Sequence, residues 1–178
     1  MLGAMDASAL PESLARLLQL LYFMAPAYVA NMAPPFVRYW KGWNRPIHAR
    51  TLGDHKTVVG YALGVFAALA ATAAQAAIDA PMALVDYAHW PWLGLGFGIG
   101  AMTGDSLKSY FKRRRGLAPG APWLPFDQLD FALGALLLVG PFAELGAADV
   151  PAILVATLLG DILVNRAAFG LGIKSTPW

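Results

Sequence analysis

Five apolar stretches, at roughly 14–33, 57–79, 88–105, 129–145 and 150–169, leave little of the chain outside them. Hydrocarbon offers no partner to a backbone amide, so a run of about 20 apolar residues must satisfy its own hydrogen bonds as a helix. Shorter runs are tolerated where neighbouring segments cover them. Composition agrees: 58% of residues are hydrophobic, 13% are charged and the mean hydropathy is +0.53, well outside soluble usage. The sequence therefore predicts an all-α, polytopic integral membrane protein with five transmembrane helices. Its 178 residues leave no room for a sizeable soluble domain, so 1–178 reads as a single membrane domain. The first stretch has Asp6 and Glu12 ahead of it in place of a basic segment, and is read as a span and not as a signal peptide. The third is short and interrupted by Pro91, with Trp90 and Trp92 suited to the membrane–water interface.

The basic residues fix an orientation. Arg38, Lys41, Arg45, Arg50 and Lys56 lie between the first and second stretches, Lys108 and Lys112 to Arg115 between the third and fourth, and Arg166 and Lys174 near the C-terminus. Only Arg16 is left for the other side. The positive-inside rule then makes the loops between helices 1 and 2 and between helices 3 and 4 cytoplasmic, with the N-terminus outside and the C-terminus inside, in a multi-pass cell-membrane protein. The net charge of +2 is too small to argue for nucleic acid. The absence of cysteine excludes disulfides, thiolate metal sites and a cysteine nucleophile. The outer acids Asp79, Asp86, Glu144 and Asp149 read as solvated helix ends.

Polar residues that composition alone does not explain gather at the cytoplasmic level: Asn31, Lys56, Thr57, Asp105, Asp127, Asp130, Asp161 and Asn165. Ionisable groups inside spans are costly and usually line an aqueous site. In a helix continuing past Asp105, Ser109 at i+4 and Lys112 at i+7 share its face. Asp127 and Asp130 share a face at a helix start, a pattern that suits a hard cation such as Mg2+, although Asp127 could equally be a cap. In "TLGDHKTVVG", Gly53 permits a tight turn, and Lys56 with Thr57 at a helix N-terminus makes an anion site. Gly96, Gly100 and Gly104, at four-residue steps, allow another helix to pack closely. His48, His55 and His89 have no zinc spacing. The basic run "KRRR" at 112–115 reads first as a positive-inside anchor.

"GDSLKSYFKRRRGLAPGAPWLPFDQLDF", residues 104–131, resembles the C-terminal signature of the CDP-diglyceride synthetase superfamily, with Ser109, Lys112 and Arg113 in its Ser-x-x-Lys-Arg core. The Lys-Asp pair and the His-Gly-Gly turn of the bacterial form are missing, and Gln128 stands between the acids where an arginine is usual. Together with "AYVANMAPP" at 27–35 and "LGDHKTVVG" at 52–60, the signature is similar to the archaeal branch, the CDP-archaeol synthases. That resemblance implies a membrane nucleotidyltransferase moving a cytidylyl group from CTP to an unsaturated ether-lipid phosphate, 2,3-bis-O-geranylgeranylglycerol 1-phosphate, with release of pyrophosphate. It further implies that Asp105, Asp127 and Asp130 hold Mg2+ and that Lys56, Lys112 and Arg113 offset phosphate charge in catalysis. Asn31, Gly53, Lys56, Thr57 and Ser109 would contribute to nucleotide binding. The expected partners are CTP, an isoprenoid glycerol phosphate lipid and the bilayer, with no nucleic acid; association into a homodimer is open.

Two other readings stand beside it. A CDP-alcohol phosphotransferase would also act on CDP-linked lipids, but its Asp-Gly-x-x-Ala-Arg signature is absent. A small proton-coupled transporter would use Asp161 and leave "GDHKT" and the paired aspartates unexplained.

Overall fold

In a computed structural model that describes residues 11–118 and 121–172, the chain is helical throughout, with no strand among the described residues and one isolated bridge between Pro46 and Thr57. The helices are α1 (Glu12–Met32), α2 (Ala49–Leu52), α3 (Val58–Ile78), α4 (Trp90–Arg114), α5 (Phe126–Val139) and α6 (Asp149–Gly170). Asp6 and Lys174 lie outside the described residues.

Helices occur at each of the five apolar stretches, but three of them, in α1, α3 and α6, are long and apolar enough to cross a membrane by length and hydropathy. The other two depart from expectation in opposite ways. Pro91 does not interrupt α4 but sits in its first turn, where a missing amide costs nothing. The helix then runs nine residues past Asp105 into the basic segment, and those charges lower its hydropathy. By contrast, α5 has 14 residues and ends before a 3-10 turn at Gly140–Phe142. At 1.5 Å per residue it is only about 21 Å long.

The core is built where α1, α4 and α5 meet. Phe23 and Phe97 are fully buried and meet edge to face with centroids 5.2 Å apart, and Phe131 meets Tyr28 at 5.9 Å. Small residues bring backbones together here. A Cβ on Gly100 would come within 2.5 Å of the Gly134 carbonyl oxygen, and one on Gly104 would collide with the carbonyl of Asp130. The four-residue glycine ladder of α4 is thus what lets α5 approach, as its spacing suggested. Large apolar side chains also face outward, among them Phe66 on α3, Leu133 and Leu137 on α5, and Val155, Leu159 and Leu163 on α6.

The up-and-down order gathers the starts of α1, α4 and α6 at one end of the bundle. The ends of α1 and α4 and the starts of α3 and α5 gather at the other. At the first end the sequence reading needs correction: Asp149 is not a solvated helix end. It is buried and paired with Arg16, whose Nε donates to Asp149 Oδ1 at 3.2 Å. Asp149 Oδ2 accepts the Gly146 amide at 2.7 Å, and Arg16 also donates to the Glu144 carbonyl at 2.8 Å. This clamp ties α6 to α1.

Candidate active site

At the other end, the loop before α3 is folded back on itself. The Ile47 amide donates to the Lys56 carbonyl at 2.7 Å, and the Val58 amide to the Arg45 carbonyl at 2.9 Å. Gly53 makes the turn with φ of +88°, a conformation that disfavours any side chain. Thr57 caps α3, its Oγ1 accepting the Gly60 amide at 3.1 Å. Lys56 is therefore held at the start of α3, and its ammonium is paired with Asp105 on α4.

From α4 and α5, three carboxylates converge on one ammonium that the sequence reading had not singled out. Lys108 Nζ lies 3.0 Å from Asp105 Oδ1, 2.7 Å from Asp130 Oδ2 and 3.5 Å from Asp127 Oδ1. The signal was present in the sequence, since Lys108 stands at i+3 from Asp105 on the same helix face.

Lys112, buried, donates to Asp127 Oδ1 and Oδ2 at 2.9 and 3.1 Å and to the Ala121 carbonyl at 2.5 Å. Asp127 also accepts the Trp123 amide at 2.6 Å, so it braces the preceding loop; the residue at the N-cap position of α5 is Pro125. Asp130 Oδ1 accepts the Phe131 amide at 2.6 Å. Ser109 donates to the Asp105 carbonyl at 2.9 Å, and Arg113 donates to the Ala118 carbonyl at 3.1 Å.

Beside this cluster opens a cavity of about 320 Å3 lined by Gly53, His55, Lys56, Lys108, Ser109, Lys112 and Arg113 among others. Four cationic residues and one acid, Asp54, contribute to its wall, as does His55, which sequence spacing gave no reason to select. Asn31 is not brought here. It lines a second, almost wholly apolar cavity of about 260 Å3 between α1, α5 and α6, with Met32, Phe131, Gly160, Asp161 and Val164. There Tyr28 and Thr157 share a hydrogen bond of 2.9 Å, and Asp161 accepts from Asn165 at 2.8 Å.

The donor set of Asp105, Asp127 and Asp130 is all carboxylate oxygen, which is the chemistry of a hard cation. As the side chains stand, these acids surround an ammonium, and no trio of His, Asp or Glu among the described residues is spaced to hold a metal ion. An ammonium occupies the point between the three carboxylates; their charge and donor type are those a divalent cation uses, while their spacing is set by Lys108.

The family model described as CarS-like, CDP-archaeol synthase, matches residues 13–178. A CDP-archaeol synthase of Methanospirillum hungatei is 37% identical over 171 residues, covering 87% of this chain and 100% of the relative. One from Aeropyrum pernix is 35% identical over 174 residues, covering 91% and 92%. A solved structure described as an intramembrane enzyme for archaeal membrane lipids biosynthesis superimposes with a TM-score of 0.65 at 31% identity, over 84% of this chain and 94% of that one. With the match running through both the Lys56 loop and the aspartate cluster, the chain belongs to the CDP-archaeol synthase family.

Proposed function

We propose that the protein transfers the cytidylyl group of CTP to 2,3-bis-O-geranylgeranylglycerol 1-phosphate, giving the CDP-linked lipid and pyrophosphate. The observation that carries this reading is the joining of three aspartates and three lysines beside a cation-lined cavity at the foot of a membrane bundle. A triphosphate has the charge and size for that cavity. Lys56, Lys112 and Arg113 would offset its negative charge, with Gly53, Thr57 and Ser109 shaping the wall.

In the reaction, an oxygen of the lipid phosphate attacks the α-phosphorus of CTP in line. A phosphorus–oxygen bond forms to the lipid, and the bond from the α-phosphorus to the bridging oxygen breaks, its electron pair leaving with pyrophosphate. No covalent nucleophile is needed; the protein's work is alignment and charge neutralisation. Asp105, Asp127 and Asp130 would hold Mg2+, which when bound neutralises phosphate oxygens as the transition state forms.

The lipid's chains would lie in the apolar cavity between α1, α5 and α6. Phe131 on its wall directly follows Asp130, which places the cavity beside the helix turn that carries the cluster. Asp161, on which a transporter reading would rest, accordingly serves as part of a lipid-facing wall. We also read all five long helices as spans, α5 being short but presenting Leu133, Leu137 and Leu138 outward. The cavity at Lys56 then opens to the cytoplasm, where CTP is found, and the clamp at Arg16 lies outside.

The test is mass spectrometry of products after purified protein is mixed with CTP, Mg2+ and the lipid phosphate. CDP-lipid and pyrophosphate in equal amounts are expected. Turnover of CTP without lipid, or release of inorganic phosphate alone, would contradict the reading.

A further inference from the structure

Each carboxylate of the cluster has a cation of its own or a backbone donor to satisfy it: Asp105 has Lys56, Asp127 has Lys112 and the Trp123 amide, and Asp130 has the Phe131 amide. Lys108 is the cation that touches all three. Lys108 also lines the cavity proposed for the triphosphate, so one residue belongs both to the carboxylate cluster and to the wall of that cavity.

We infer that Lys108 is a built-in stand-in for the metal, holding the three carboxylates together until cation and nucleotide arrive and thereby making cation binding depend on CTP. This rests on the reading of Asp105, Asp127 and Asp130 as the Mg2+ ligands. The charge balance gives the reason. Three aspartates and three lysines sum to zero, so the cluster is neutral and stable without a metal. Adding a divalent cation alone would leave two uncompensated positive charges in a half-buried site, an arrangement that is costly. A triphosphate brought in at the same time supplies the missing negative charge and gives the displaced ammonium a new partner in the cavity it already faces. Cation and CTP should then bind cooperatively, each raising the affinity for the other by the same factor.

A purely structural salt bridge would behave differently, and Mn2+ binding without nucleotide separates the two. The full-length protein in detergent is titrated with Mn2+, and free Mn2+ is read by electron paramagnetic resonance. Wild type and Lys108→Arg are expected to bind weakly, and Lys108→Met about tenfold or more tightly, because the competing charge is gone. Adding Asp130→Asn to Lys108→Met should remove the gain. Thermal unfolding gives a second readout: Mg2+ alone should raise the Tm of Lys108→Met, and that of wild type only when CTP is also present. Should Lys108→Met not match wild type in circular dichroism and elution volume, Lys108→Gln replaces it in both measurements. Equal or weaker Mn2+ binding by the folded variant overturns the inference. A gain that survives Asp130→Asn overturns it too, together with the assignment of the aspartates as ligands. The expected Mn2+ pattern in a protein that makes no CDP-lipid would instead leave Lys108 as inferred and sink the cytidylyl-transfer reading.

Discussion

The two ends of the bundle each bury charge, and they do so in different ways. At the Arg16 end, one guanidinium meets one carboxylate, and both find further partners in the Gly146 amide, the Glu144 carbonyl and Gln19. Asp149 Oδ2 accepts from both Arg16 and the Gly146 amide, but a single cation meets a single carboxylate there. At the Lys56 end, three ammonium groups are divided among three carboxylates, and one of them is held by all three at once. A saturated pair has one stable arrangement and suits a clamp. A shared set is what the proposed exchange of an internal cation for a bound one would use. Counting ionic groups does not separate the two ends; the presence of one cation held by several anions does.

The shared set can be pulled apart without touching a charge. Gly104 packs against the Asp130 carbonyl, so Gly104→Leu must force α5 away from α4 and Asp130 away from Lys108. A misplacement of about 1 Å costs about a hundredfold in rate, and a leucine demands more, so turnover is expected to vanish in protein that still extracts as a monodisperse species. Next in size, Lys112→Met removes the ammonium of Asp127 and the tether to the Ala121 carbonyl, and should lower kcat/KM for CTP by about a hundredfold. Gly160→Leu, placed in open space on the apolar cavity, should raise KM for the lipid about tenfold while leaving KM for CTP unchanged, because only the cavity proposed for the lipid is filled. Arg115 lies over the Trp123 ring at 5.1 Å and outside the shared set, so Arg115→Gln is expected to change turnover only a few-fold in the same assay.

Much of this was legible in the sequence, and the parts that were not have physical reasons. Apolar length gave the helices, and the glycine steps of α4 gave the α4–α5 contact, because close packing requires small residues at fixed intervals. Gly53 and Lys56 were recognisable from local turn and helix-start chemistry. Lys108 and Lys112 both follow Asp105 on one face, and periodicity does not say which of two lysines three acids from two helices will surround. The burial of Asp149 is not legible because its partner, Arg16, is 133 residues away, and pairing over that distance leaves no local trace. Asn31 shared the level of the site but faces the apolar cavity; depth along a helix can be counted from sequence, while the direction it faces depends on neighbours.

The comparison itself is tested by steady-state turnover of Asp127→Asn, Asp130→Asn and Asp149→Asn, measured side by side across a Mg2+ titration on folded, detergent-extracted protein. Asparagine keeps the size and polarity of each side chain and removes only the anion. Asp127→Asn and Asp130→Asn are each expected to lose about two orders of magnitude or more, roughly 2.7 kcal/mol of transition-state stabilisation. Asp149→Asn should lower Tm and leave turnover within a few-fold of wild type. Near-normal rates for both cluster variants at ordinary Mg2+, or a loss in Asp149→Asn as large as theirs, would contradict the account.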